Sequence, residues 1–271
     1  MITRRRHLQA AGALGLLLGA SATVVRGEEP ATPLPQAHAH NDYRHDRPLL
    51  DALDRGFCSI EADIFLVDGE LLVGHDPPEL RPDRTLQKLY LDPLLQLARE
   101  NGGRVFPDGP TVTLLIDLKS DGRTTYEALH KILHDYREML CSVEDGAYRQ
   151  RAVQVVISGN RPTDLMAGQS TRFAGVDGRL TDLDSDASAT LMPLISDRWT
   201  SHFDWQGVGP IPTDQREKLQ SIVAKAHAAG RRVRFWATPE TPELWRELST
   251  AGVDHINTDQ LDALRSFLLA N

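Results

Sequence analysis

The chain has 271 residues, 41% hydrophobic and 25% charged, with a formal net charge of −8. That balance fits a soluble globular protein with a full core and excludes fibrous and low-complexity classes. The acidic excess argues against nucleic acid as a partner and against steering by anionic lipid surfaces. An anionic substrate would therefore depend on local positive charge, from a metal ion, Lys119 or Arg198.

The N-terminus carries Arg4-Arg5-Arg6, then an apolar, small-residue run from Ala10 to Ala20, then Ala20-Ser21-Ala22. This is the pattern of a secretory signal of the twin-arginine kind. Residues 1–27 are expected to be that signal, and the mature protein to be periplasmic or extracellular. An uncleaved anchor is second, because the run is short of the roughly 20 residues that a span needs. Residues 28–35 are rich in Pro and Glu and read as a disordered leader. No later stretch is apolar enough to cross a bilayer, so residues 36–271 are expected to form one catalytic domain.

Past Pro35, short apolar runs alternate with amphipathic stretches. Strands are expected at Gln36–His40, Cys58–Val67, Val112–Leu118, Val153–Ser158, Ala174–Val176, Leu194–Ser196, Val233–Ala237 and His255–Thr258. Helices are expected at Asp46–Arg55, Leu86–Asn101, Tyr126–Leu140, Pro162–Gly168, Thr213–Ala229, Pro242–Ala251 and Gln260–Leu269. Thr213 is a candidate N-cap, Pro242 suits a first helical turn, and Gly230 and Gly252 suit C-terminal stops. Leu219, Ile222, Val223 and Ala226 give one helix an apolar face. Eight strand–helix units without a glycine-rich nucleotide fingerprint imply an α/β fold, a (β/α)8 TIM barrel of about 250 residues. The segment from Arg172 to Trp205 is the weakest part of that pattern. Cys58 and Cys141 lack metal-type spacing and read as isolated buried thiols, with one disulfide as the alternative.

Polar residues gather at the strand ends. His38-Ala39-His40-Asn41-Asp42 closes the first strand. Glu61 and Asp63, two apart, share one strand face, as do Asp117 and Lys119. His75-Asp76 follows the apolar run Leu71–Gly74. In a barrel, C-terminal strand ends line the mouth where the site lies. Three carboxylates converging in a dry pocket need a cation, and oxygen ligands without cysteine suit Mg²⁺ or Ca²⁺.

Together His40, Glu61-Ala62-Asp63, His75-Asp76 and Asp117-Leu118-Lys119 resemble the glycerophosphodiester phosphodiesterase and phospholipase C-like superfamily. Phe235-Trp236-Ala237 and Gly252–Asp259 resemble its last two strands. His38–Tyr43 with Val73-Gly74-His75-Asp76 is similar to the branch related to the altered-inheritance-of-mitochondria proteins. The resemblance implies a phosphoric diester hydrolase of the TIM-barrel type with one divalent cation, Mg²⁺ or Ca²⁺. It implies metal ligands at Glu61, Asp63 and Asp117, joined by Asn41, and a catalytic pair in His40 and His75. Lys119 would hold a non-bridging oxygen, with Trp236 and Arg198 lining the substrate pocket. The substrate would be a glycerophosphodiester, a lipid headgroup or a similar diester. The superfamily's His-Arg-Gly and Glu-Asn-Thr phrases are missing, and the third acid is Asp117 in place of Glu, so the glycerol headgroup is not implied.

Alternatives attach to several residues. Asp76 is expected to orient His75 or to start a turn, and His38 to face the interior or a loop. Asp254 and Asp259 are expected to cap the last strand and helix. Trp199, Phe203 and Trp205 either line the pocket or cover the sixth unit, and Trp245 is expected in the core. His38-x-His40 also opens the barrels of metal-dependent amidohydrolases. Those need further histidines on the middle strands and give Glu61-x-Asp63 no role. A non-catalytic binding barrel would be expected to have lost one member of the set.

Overall fold

The computed structural model describes residues 31–270. The expected signal, residues 1–27, lies outside them. Eight parallel strands form the frame: β1 (Leu34–Ala39), β2 (Phe57–Val67), β3 (Val112–Leu118), β4 (Val153–Gly159), β5 (Ala174–Gly178), β6 (Leu194–Arg198), β7 (Arg232–Trp236) and β8 (His255–Thr258). Each pairs with the next, and β1 pairs with both β2 and β8, which closes the barrel. A ninth strand, Glu70–Val73, folds back antiparallel on the end of β2. β1 begins at Leu34, whose amide donates to Gly56 O at 2.7 Å. Leu34 and Pro35, expected in the leader, are thus strand.

Among the described residues seven α-helices cover the barrel: α1 (Leu50–Leu53), α2 (Asp92–Glu100), α3 (Gly122–Asp135), α4 (Thr163–Ala167), α5 (Thr213–Ala228), α6 (Pro242–Ala251) and α7 (Leu261–Ala270). Local chemistry explains their ends. Asp121 caps α3 by accepting from Thr124 N at 3.0 Å, and Thr241 caps α6, with Pro242 in its first turn. Gly252 ends α6 at φ 83°, the left-handed stop that favours glycine. Thr213 is the first helical residue of α5 and does not cap it; Pro212 stands at the cap without a side-chain bond. The helix expected from Leu86 is split, a π-helical turn at Gln87–Leu91 leading into α2.

Between β5 and β6 there is only a 3₁₀ turn, Leu180–Asp182. Arg231, 2% exposed, donates there to the carbonyls of Asp182, Ser185 and Ala187 at 2.6–2.7 Å. One buried guanidinium thus satisfies carbonyls that a helix would have paired internally. Trp199 and Phe203 stack at 4.0 Å, and with Trp205 they are buried in the core around the sixth unit; Trp245, on the helix Pro242–Ala251, is buried in the core as well. Cys58 and Cys141 are both buried and free, and burial pushes the Cys58 thiol up to about 12. Among the described residues no helix is long and apolar enough to cross a membrane.

The main core lies between the sheet and its helices. Inside the barrel the apolar part is small, Leu115, Val156 and Leu194. The rest of the interior is polar.

Candidate active site

Strand register stacks the interior in layers. His38 stands beside Ser59 on β2 and Asn257 on β8. Its Nδ1 lies 2.7 Å from Ser59 Oγ, and its Nε2 lies 3.2 Å from Glu61 Oε2. Arg234 Nη2 donates to the same Glu61 oxygen at 2.6 Å, and both Nε and Nη2 donate to Asn257 Oδ1. All of these side chains are buried. Burial, with Arg234 close by, pushes the His38 imidazole down to about 3. Burial alone would raise the Glu61 carboxyl, but Arg234 and the His38 bond outweigh it and hold the group well below the usual range. In this middle layer every side chain is hydrogen-bonded to another of the layer.

One turn higher, at the mouth, the balance changes. β2 sets Asp63 beside Asp117 of β3. Asp63 Oδ2 faces His75 Nδ1 at 2.8 Å, Lys119 Nζ at 3.1 Å and the Tyr43 hydroxyl at 2.8 Å. Its Oδ1 is buried and has no partner among the described residues. Tyr43 has one proton for both Asp63 Oδ2 and Asn41 Oδ1, which lies 2.6 Å away. Lys119 Nζ also meets Asp117 Oδ2 at 3.3 Å. Burial raises the Asp63 carboxyl, and Glu61 raises it further. Burial likewise pushes Asp117 up to about 6, although Lys119 pulls the other way.

Glu61, Asp63 and Asp117 each offer an oxygen within 4.8 Å of the others. Three carboxylates, with one lysine beside two of them, an orphaned buried oxygen on Asp63 and raised pKa values at Asp63 and Asp117, fit a hard divalent cation by donor type and charge. Gly159 keeps this geometry possible. At φ +66°, a Cβ there would lie 2.0 Å from Asp117 Oδ1.

Two histidines flank the carboxylates. His75 is brought over Asp63 by the fold-back strand, in which Val73 pairs with Ile64, and its side chain is 41% exposed. His40 Nδ1 lies 2.8 Å from Asp259 Oδ1, and Asn41 Nδ2 donates to that oxygen at 3.2 Å. In each pair a carboxylate oxygen faces Nδ1, with Asn41 Nδ2 also 2.8 Å from His40 Nδ1, and the tautomer that carries its proton on Nδ1 leaves Nε2 free for proton transfer. Asn41 takes a left-handed φ of 49° as the chain leaves β1.

The expected residues divide on inspection. Asn41, Glu61, Asp63, His75, Asp117 and Lys119 meet around one point, and His40 joins them through Asn41 and Tyr43. Trp236 lies nearby at the end of β7, its ring 4.8 Å from the Arg179 guanidinium. Arg198 is exposed, and its Nε donates to Thr200 Oγ1 at 3.0 Å. Asp76 makes no side-chain cap, and the carboxylate on His75 is Asp63. Asp259, expected as a cap, holds His40. Both ring nitrogens of His38 are engaged, so it is not available as the first ligand of an amidohydrolase centre. Tyr43, Arg234 and Arg179 were not expected. Only Tyr43 left a signal, as the last residue of the His38–Tyr43 phrase.

Residues 29–176 match the family model described as the AIM6-like phosphodiesterase domain, and residues 232–262 match that of the glycerophosphoryl diester phosphodiesterase family. An altered inheritance of mitochondria protein 6 homolog from Arthroderma benhamiae is 31% identical over 269 residues, spanning 87% of this chain and 84% of its own. The altered inheritance of mitochondria protein 6 of Eremothecium gossypii is 32% identical over 282 residues, spanning 86% and 69%. A solved glycerophosphodiester phosphodiesterase from Parabacteroides distasonis has the same fold, with a TM-score of 0.50 at 13% identity over 89% of this chain and 99% of that one. The relatives overturn the expectation of twin-arginine export. Their names point to a mitochondria-related cellular protein. The chain belongs to the AIM6-like phosphodiesterase family, a branch of the glycerophosphodiester phosphodiesterase and phospholipase C-like superfamily.

Proposed function

We propose that the chain is a metal-assisted phosphoric diester hydrolase worked by His40 and His75. The observation that carries this reading is the convergence of Glu61, Asp63 and Asp117 around the unpartnered Asp63 Oδ1, flanked by two carboxylate-anchored imidazoles. Glu61, Asp63, Asp117 and the Asn41 carboxamide oxygen would hold one Mg²⁺ or Ca²⁺, which when bound polarises a phosphoryl group and neutralises its developing charge.

The side chains supply the rest. Nε2 of one histidine takes the proton from the attacking hydroxyl or water, and Nε2 of the other gives a proton to the leaving alkoxide. Asp259 and Asp63 keep Nδ1 protonated and steady each ring. Lys119, between Asp63 and Asp117, can turn an Nζ proton toward a non-bridging oxygen. Attack by a hydroxyl of the substrate gives a cyclic phosphate, and attack by water gives a monoester. The substrate is a glycerophosphodiester, a phospholipid headgroup or a similar diester.

The test is hydrolysis of bis(p-nitrophenyl) phosphate, glycerophosphodiesters and phosphatidylinositol with Mg²⁺, Ca²⁺ or EDTA. Turnover that needs the cation and is lost in His40→Ala and His75→Ala supports the proposal. Turnover that persists in EDTA or in both variants sinks it.

A further inference from the structure

Three adjacent strands release a cation at the mouth. Lys119 follows β3, Arg161 lies just past β4, and Arg179 follows β5. Lys119 is occupied by Asp63 and Asp117, but the two arginines are not used by the proposed chemistry.

Arg179 is held firmly. Its Nη1 donates to Asp177 Oδ2 at 2.8 Å, and the buried Asp177 is fixed in turn by the hydroxyls of Ser158 and Ser196. The guanidinium lies over Trp236 at 4.8 Å. Only a 3.4 Å contact from Nη2 to Ser158 Oγ engages the other edge, and Nε has no partner among the described residues. The guanidinium of Arg161, partly buried, has a single hydrogen bond, from Nη1 to Gly159 O at 3.3 Å, and no ion pair among the described residues. Burial and the neighbouring Arg179 both push its pKa down, against the pull of Asp177, Asp182 and Asp117. Asp177 neutralises one guanidinium and leaves the second unmatched. An open edge on a fixed arginine beside an unpaired one is suited to bidentate capture of an oxyanion.

We infer that Arg161 and Arg179 form a second anion subsite, which takes a phosphate monoester or carboxylate carried on the substrate's headgroup beside the scissile diester. The inference rests on the phosphodiesterase reading for its second clause, since the diester must sit at Lys119. The enzyme then favours doubly anionic headgroups despite its overall negative charge.

The test is calorimetric binding in EDTA, with full-length wild type, Arg161→Gln and Arg179→Gln. The probes are glycerophosphoinositol with and without a 4-phosphate, and glycerophosphoserine against glycerophosphoethanolamine. Wild type should bind the more anionic member of at least one pair about tenfold more tightly, the scale of one or two charge-assisted hydrogen bonds. Which pair shows the preference tells phosphate from carboxylate. Arg161→Gln should bring that ratio near one. Because Arg179 is tied to a buried carboxylate, Arg161→Gln, at the rim, is the decisive variant should Arg179→Gln unfold. Equal affinities in wild type, or a ratio that survives in Arg161→Gln, overturn the inference. Binding is read without turnover, so a failure of the hydrolase assay remains a separate result.

Discussion

His38, on β1, and His40, just past its end, lie two residues apart, yet their surroundings give them opposite roles. In the middle layer His38, Ser59, Glu61, Arg234 and Asn257 satisfy one another out of water. At the mouth, Asp63, Asp117, Asn41, Tyr43, Lys119 and His75 include more acceptors than protons and one buried oxygen with no partner among the described residues. The residue types are alike, and satisfaction separates them. A paired buried network specifies structure, whereas an unbalanced one waits for a ligand. Glu61 belongs to both, with Oε2 bound below and a carboxylate oxygen within 4.8 Å of those of Asp63 and Asp117 above.

Breaking the mouth should remove activity with little change in fold. His40→Ala and His75→Ala are each expected to lower kcat by about 10²–10⁴-fold. Denaturant melts of the same variants should move by less than about 1 kcal/mol. The middle layer should do the reverse. Arg234→Met leaves the Glu61 carboxylate buried and uncompensated, which should cost about 3–5 kcal/mol of stability.

Asp42 sharpens the contrast, because it is buried and only half satisfied. Leu49 N and Tyr90 donate to its Oδ2, while Oδ1 has no partner among the described residues. Burial pushes it up to about 7 from 3.8. The folded state therefore holds this proton more tightly than the unfolded chain. The stability it lends is fully present below pH 3.8 and is lost as pH rises through about 7. Asp42→Asn should accordingly stabilise the protein at pH 8, by on the order of 2–3 kcal/mol, and do little at pH 4. Urea melts at the two pH values would check the sign. Gly159→Ala should cost about 1–3 kcal/mol through its left-handed φ, and should lower activity by displacing Asp117. The smallest effect belongs to Arg198→Ala, within about 0.5 kcal/mol, because the residue is exposed and its side chain hydrogen-bonds only to Thr200 among the described residues.

Periodicity and caps made the frame readable in the sequence. β3, β8 and α6 run between the expected residues, and the alternation of strand and helix implied the closed barrel. The mouth residues were readable because strand ends in a barrel converge and side chains two apart share a face. What escaped was partnership, which depends on register. The pairing of β8 with β1 brings Asp259 to His40, and β7 brings Arg234 under Glu61 from far along the chain. The fold-back after β2 gives His75 to Asp63 in place of Asp76. The split before α2 and the missing helix after β5 rest on tertiary contacts, such as those of Arg231, that local propensity does not encode.

The most direct measurement is the melting temperature of wild type and Asp63→Asn, each in EDTA and in millimolar Mg²⁺ or Ca²⁺. Wild type should melt higher with the cation, by linkage to binding in the folded state. Asp63→Asn should melt above wild type in EDTA, relieved of an unsatisfied buried carboxylate, and should not respond to the cation. A wild type indifferent to both cations, with Asp63→Asn destabilised as Arg234→Met is, would contradict the division into a structural layer and a ligand-binding mouth.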